Sequence, residues 1–173
     1  YADNIIGYFL CGGGGEWLDY WDYSPAAEAG FRRWLSNKYA DDAALQEAWA
    51  SPKVTLQTAA LPEWQSLPKG DVGIFLDPAR SRQTIDFYQF FHEDLAEAAA
   101  DVCRAAKEAC GGRRLVGIWG GYYFFPNWSP ADRGVFRRRQ GAFEFTVKDP
   151  NIDFFMGPYS YRERHPGGVF APQ

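Results

Sequence analysis

Three times along this chain an apolar run reaches glycine and then a cluster of aromatic side chains, and this repetition constrains the fold more than any other feature. The first run is Ile5-Ile6-Gly7-Tyr8-Phe9-Leu10-Cys11. It is followed by Gly12 to Gly15, then Glu16-Trp17-Leu18-Asp19-Tyr20-Trp21-Asp22-Tyr23. The second, Arg113-Arg114-Leu115-Val116-Gly117-Ile118-Trp119, leads into Gly120-Gly121-Tyr122-Tyr123-Phe124-Phe125. The third, Ile152-Asp153-Phe154-Phe155-Met156, leads into Gly157-Pro158-Tyr159-Ser160-Tyr161. Short apolar runs bounded by turn residues read as buried strands. Glycine at their ends lets the backbone turn sharply and lets a ligand approach closely.

The intervening segments read as helices. Ser24 followed by Pro25 is an N-cap with proline at the first helical position. Phe31, Trp34, Leu35 and Tyr39 then fall at helical spacing, with Arg32, Arg33 and Lys38 outward, which predicts an amphipathic helix from about Pro25 to Tyr39. Asp41 or Asp42 caps a second short helix through Leu45 and Trp49. From Ser51 to Asp77 the period is lost among Pro52, Pro62, Pro68, Gly70 and Gly73, as in a long ordered loop. Asp77-Pro78 starts the longest helix, which runs to about Cys110 and stops at Gly111-Gly112. Its predicted core stripe is Ile85, Tyr88, Phe91, Leu95, Val102 and Ala106. A further helix is expected from Asp132 to Lys148, with Arg137-Arg138-Arg139 on its solvated face.

Strands separated by helices pair in parallel through right-handed crossovers, so the three aromatic-rich ends are expected on one edge of the sheet. Glu16, Trp17, Trp119, Tyr122, Tyr123, Tyr159 and Tyr161 would then surround one cleft. In parallel α/β folds the carboxyl edge is where ligands bind. Glu16 is the first ionisable side chain past the first strand, and the flat amphipathic rings around it suit the faces of sugars.

The 173 residues, 46% of them hydrophobic, are enough for one domain with a core, expected over residues 1–173. A net charge of −4 argues against nucleic acid or an anionic membrane as partner, because both need a basic surface. No apolar run is long enough to cross a bilayer. Aromatic residues make up 18% of the chain, including 7 Trp and 10 Tyr, which fits a carbohydrate cleft and also an aromatic core.

Cys11, Cys103 and Cys110 have no CxxC spacing, and the last two stand about 10 Å apart along one helix, too far to bridge. An acidic pI near 5.2 and unpaired cysteines favour a cytoplasmic compartment. His92 and His165 lack metal-ligand spacing, and neither GxGxxG nor GxxxxGK[ST] occurs, so no metal or cofactor is expected. The start at Tyr1 and the close at Ala171-Pro172-Gln173 read as cut ends.

Gly7-Tyr8 through Gly15-Glu16-Trp17, Asp22-Tyr23-Ser24-Pro25-Ala26, Phe31-Arg32-Arg33-Trp34-Leu35-x-x-Lys38-Tyr39 and Leu45-x-x-Ala48-Trp49 together resemble the middle of family 42 β-galactosidases and related clan A glycoside hydrolases. The likeness continues through Asp86-Phe87-Tyr88-x-Phe90, Gly111-Gly112-Arg113-x-Leu115-Val116-Gly117 and Ser160-Tyr161-x-x-Arg164-x-Pro166-Gly167-Gly168. It covers nearly the whole chain as many weak matches. The resemblance implies a partial (β/α)8 TIM barrel, an α/β fold of about three parallel strands with long crossover helices, corresponding to the fourth, fifth and sixth strands.

The resemblance also implies a retaining mechanism in which Glu16 is the general acid/base, while the nucleophile, after the seventh strand, would lie past the end of this chain. Retaining chemistry needs two carboxyls about 5 to 5.5 Å apart, one protonated and one ionised. The clan usually has Asn before its acid/base, and here that residue is Gly15. Either the chain is a divergent branch, or Glu16 binds sugar without protonating a leaving group.

Beside Glu16, the candidate sugar contacts are Trp17, Asp19, Trp21, Trp119, Tyr122, Tyr123, Tyr159, Tyr161 and Arg162. Asp19 and Asp22 either bind hydroxyls or cap the following helix. Arg162, Glu163 and Arg164 either meet substrate or pair with one another. The expected partners are a carbohydrate and either a second copy or a complementing barrel segment, since three barrel strands leave two open edges and an unpaired face. A non-catalytic carbohydrate-binding fragment and a self-associating half-barrel are the rival readings.

Overall fold

A computed structural model describes residues 4–10, 22–63, 76–119, 143–157 and 165–168. Its elements run β1 (Gly7–Leu10), α1 (Pro25–Lys38), α2 (Asp42–Trp49), α3 (Pro78–Ala109), β2 (Leu115–Trp119), α4 (Phe143–Val147) and β3 (Phe154–Met156). The result is a mixed α/β fold with a three-stranded sheet, order β1-β2-β3, both pairings parallel. The chain divides into two compact units, Tyr1–Asp19 with His92–Gln173, and Tyr20–Phe91.

In the first unit the register pairs Tyr8 with Val116, Leu10 with Ile118, and Ile118 with Phe155. Paired residues of a parallel sheet point to the same face. Val116 and Ile118 are buried against Cys103 of α3, with Leu10, Ala99, Ala106, Ile152 and Phe155 around them. Each strand is shorter than the apolar run that announced it, and Asp153 lies just ahead of β3. Its amide donates to the Val116 carbonyl at 2.7 Å.

The second unit has an aromatic core. Phe31 and Leu35 of α1, Leu45 of α2, Ala59, and Phe87, Phe90 and Phe91 of α3 are all buried. The Phe31 ring centroid stands 5.3 Å from Phe90 and 6.1 Å from Trp49, and Phe87 meets Phe91 edge-on at 4.9 Å. Burying one such ring contributes roughly 1.5–3 kcal/mol.

The helix ends follow local chemistry. Ser24 caps α1, its Oγ accepting from the Ala27 amide at 3.2 Å. Asp22 in turn accepts from the Ser24 amide at 2.8 Å, so this acid supports a helix start. Asp41 caps α2 through the Ala44 amide at 2.9 Å. Past α3, Gly111 and Gly112 adopt φ of 60° and 70°, a left-handed conformation that a side chain would strain.

Two expectations for the helices are corrected. Val102 is 46% exposed while its neighbour Cys103 is fully buried, because α3 serves a different core in each unit and one period does not carry through both. Lys38, expected outward, folds its ammonium back over the Trp34 ring, 4.5 Å from the centroid, onto Asp86. Of the helix expected from Asp132 to Lys148, α4 forms the later part, and residues 132–142 lie outside the described residues.

Candidate functional site

The carboxyl ends of all three strands, Leu10, Trp119 and Met156, share one edge of the sheet. Parallel pairing dictates this, and the register places Leu10 opposite Ile118 and Trp119 opposite Met156. Glu16 follows β1 six residues further along the sequence, and the glycine-aromatic segments follow β2 and β3 directly. The topology that the candidate cleft requires is therefore present in the strands.

The face of the sheet turned away from Cys103 is aromatic near this edge. Phe9, Gly117 and Phe154 stand in register across the three strands, and Trp119 and Met156 form the next row on the same face. Phe9 and Trp119 meet with centroids 6.3 Å apart and planes tilted by 59°. Gly117 is occupied from above, since a β-carbon there would overlap the Phe154 ring. The Trp119 indole N–H is buried without a hydrogen-bond partner among the described residues, although a buried indole usually finds one.

The opposite, amino-terminal end of the sheet is pinned by charge. Asp153 Oδ2 accepts from the Val116 amide at 2.7 Å and forms an ion pair with Lys107 of α3, whose ammonium also reaches the Arg114 carbonyl at 3.1 Å. The lysine first, and the backbone amide next, hold the Asp153 carboxyl below its ordinary range. This lock ties α3 to β2 and β3 and fixes the register that brings the strand ends level.

Of the residues predicted for the site, Trp119 is described, at the last position of β2. Glu16, Trp17, Asp19, Trp21, Tyr122, Tyr123, Tyr159, Tyr161 and Arg162 lie outside the described residues. Phe9 and Phe154 were not among the sequence candidates. The signal for them is parity: counted in register with Gly117, both lie on the face that carries Trp119.

The helical unit holds a second chemical centre that sequence reasoning did not single out. Asp86 is fully buried, and its carboxylate accepts from Lys38 Nζ at 2.9 Å, the Tyr39 hydroxyl at 2.7 Å and Trp49 Nε1 at 2.8 Å. Three donors from α1, its C-cap and α2 thus converge on one residue of α3. Burial foremost, then the Asp86 hydrogen bond and charge, push the Tyr39 hydroxyl well above its ordinary pKa. With its oxygens taken up by these donors, Asp86 acts as a tie between helices. An acid flanked by Ile85 and Phe87 inside an apolar helical run is the sequence signal for such a tie.

Comparison with family models, curated proteins and solved structures gives no match to this chain. Among the described residues no helix is long and apolar enough to cross a membrane.

Proposed function

We propose that this chain is part of a glycoside hydrolase of the β-galactosidase-like kind, contributing the carboxyl edge of a barrel and the acid/base Glu16 to retaining hydrolysis of a β-glycoside. The observation that carries the reading is the adjacent parallel alignment of β1, β2 and β3, which sets on one edge the three strand ends that glycine-aromatic segments follow in the sequence. Trp119 supports it, as an aromatic residue at that edge whose N–H has no protein partner among the described residues.

In this reading Glu16 protonates the glycosidic oxygen as the aglycone leaves, then takes a proton from the water that releases the sugar. A second carboxylate, supplied by another segment, attacks the anomeric carbon. Trp17, Trp21, Trp119, Tyr122, Tyr123, Tyr159 and Tyr161 offer stacking surfaces, and Asp19 and Arg162 offer polar contacts to hydroxyls. The chain by itself binds a β-galactoside without turning it over.

The test has two arms. The 173-residue chain should bind lactose and leave a chromogenic β-galactoside intact, whereas a polypeptide that adds the second carboxylate should hydrolyse it with retention. Glu16→Gln should abolish that hydrolysis while lactose still binds. Unchanged turnover in Glu16→Gln would remove Glu16 from the chemistry.

A second reading, a self-associating half-barrel, is favoured by the exposure of Ile6, Tyr8, Phe9, Leu115 and Met156 on β1, β2, β3 and the residue before β1. Sedimentation equilibrium distinguishes it. A dimer that Leu115→Lys converts to monomer supports self-association, and a monomeric wild type excludes it.

A further inference from the structure

Trp119 is half-buried at the last position of β2, where an indole can turn about two side-chain torsions unless something holds its plane. No hydrogen bond holds it. Its one polar group, the N–H, is buried without a partner among the described residues, so the orientation of the ring is a matter of packing. The ring of Phe9, from the adjacent strand, stands against it at 6.3 Å between centroids with the planes inclined by 59°, a favourable arrangement for two aromatic rings.

The core does not account for a phenylalanine at this position. The parity of Phe9 sets it on the sheet face turned away from the Cys103 core, and it is 38% exposed, so burial alone gives a ring there little advantage over a smaller apolar side chain. It stands level with Gly117, one row behind Trp119 as counted from the carboxyl edge. Over Gly117 lies the ring of Phe154 from β3, which a β-carbon at 117 would overlap. The centre of that row is thereby filled by an aromatic ring, and Phe9 leans on the indole of the next row.

We infer that Phe9 is a positioning residue for the proposed sugar site, acting through Trp119: it fixes the plane of the indole, and with it the direction of the N–H, before a ligand arrives. Preorganisation of this kind spares the ligand the cost of ordering a side chain on binding. A buried N–H without a partner meanwhile calls for an acceptor that the ligand brings, such as a sugar hydroxyl. The identity of the ligand rests on the carbohydrate reading, whereas the hold of Phe9 on the indole rests on the packing alone.

The test compares wild type, Phe9→Leu and Phe9→Tyr, each with a thermal melt to confirm folding. The Trp119 indole N–H resonance is assigned by its absence from Trp119→Phe, and its nitrogen relaxation gives an order parameter. That parameter should lie near the value of a rigid backbone, about 0.85, in wild type and in Phe9→Tyr, and drop below about 0.6 in Phe9→Leu. Lactose affinity should fall about threefold to tenfold in Phe9→Leu, as expected for loss of one aromatic contact, and recover in Phe9→Tyr. Phe9→Leu/Trp119→Ala should bind no more weakly than Trp119→Ala, because a residue that acts through Trp119 then has nothing left to position. Phe9→Met replaces Phe9→Leu if the latter does not fold. An indole equally ordered in wild type and Phe9→Leu, or losses of affinity that add in full in the double variant, overturns the inference. If wild type takes up no lactose, the carbohydrate reading fails, and the order parameter by itself decides the role of Phe9.

Discussion

Asp153 stands where a ladder residue would, and its carboxylate joins Lys107 of α3 to the Val116 amide of β2. A side chain thus performs the work of a strand at the amino end of the sheet, so that β3 can be only three residues long and still be held in register.

Because the Asp153 carboxyl is held below its ordinary pKa by Lys107 and the Val116 amide, its contribution to stability has a defined pH window. The unfolded chain binds the proton near pH 3.9, and the folded chain binds it only at lower pH. The contribution is therefore present above about pH 4 and is lost as pH falls through the folded value. Asp153→Asn keeps an acceptor for Val116 and removes the charge. Urea midpoints measured from pH 7 to pH 2.5 should show a gap between wild type and variant at neutral pH that closes in acid. A gap independent of pH would mean that the charge contributes nothing.

Asp86→Ala should be the most destabilising single change in the helical unit, by about 3 kcal/mol, because it removes a fully buried charged acceptor shared by three partly buried donors. Tyr39→Phe removes one hydrogen bond to a charged acceptor and should cost about 1.5–3 kcal/mol. The raised pKa of Tyr39 stabilises the fold below the unfolded value, about 10, and this is lost as pH rises further. Tyr39→Phe should accordingly flatten the alkaline limb of the stability profile. Denaturant melts in which Asp86→Ala loses less than 1 kcal/mol would contradict the role of a tie.

The local features of this fold are readable in the sequence, and the long-range ones are not. Ser24-Pro25, Asp41 and Gly111-Gly112 mark helix ends because a cap depends on residues within one turn. The three apolar runs mark strands and, through the intervening helices, their parallel order. Lys38 looks solvated because its partner Asp86 is 48 residues away. Val102 lies on the apolar stripe of a single helical period, but α3 packs on two cores and no one period fits both. Asp153 reads as a strand residue because nothing in the sequence shows that Lys107 would meet it. At the candidate edge, the position of Trp119 follows from strand order alone, while Phe9 and Phe154 become visible once the register is known.

Gly117 is small because Phe154 crosses it. Gly117→Ala should cost about 1–3 kcal/mol through forced displacement of that ring. Phe154→Ala alone also destabilises, but in the double variant the alanine at 117 no longer meets a ring, and the two losses should sum to more than the measured total. Strict additivity in a double-mutant cycle would show that the two residues are not coupled.

The aromatic row at the carboxyl edge ties the fold to the proposed chemistry. Trp119→Ala should weaken lactose binding by about tenfold, consistent with loss of one well-placed aromatic contact and its N–H donor. Trp119→Phe, which keeps a ring and removes the N–H, should fall between the variant and wild type. Calorimetric titration can separate the three, with thermal melts confirming that each remains folded.

The most direct test of the central claim is calorimetric titration of the wild-type chain with lactose, run beside sucrose as a sugar without a β-galactoside. Saturable heat with lactose and none with sucrose is the result expected of a β-galactoside site at the sheet's carboxyl edge. No binding of lactose, or equal binding of both sugars, would contradict it.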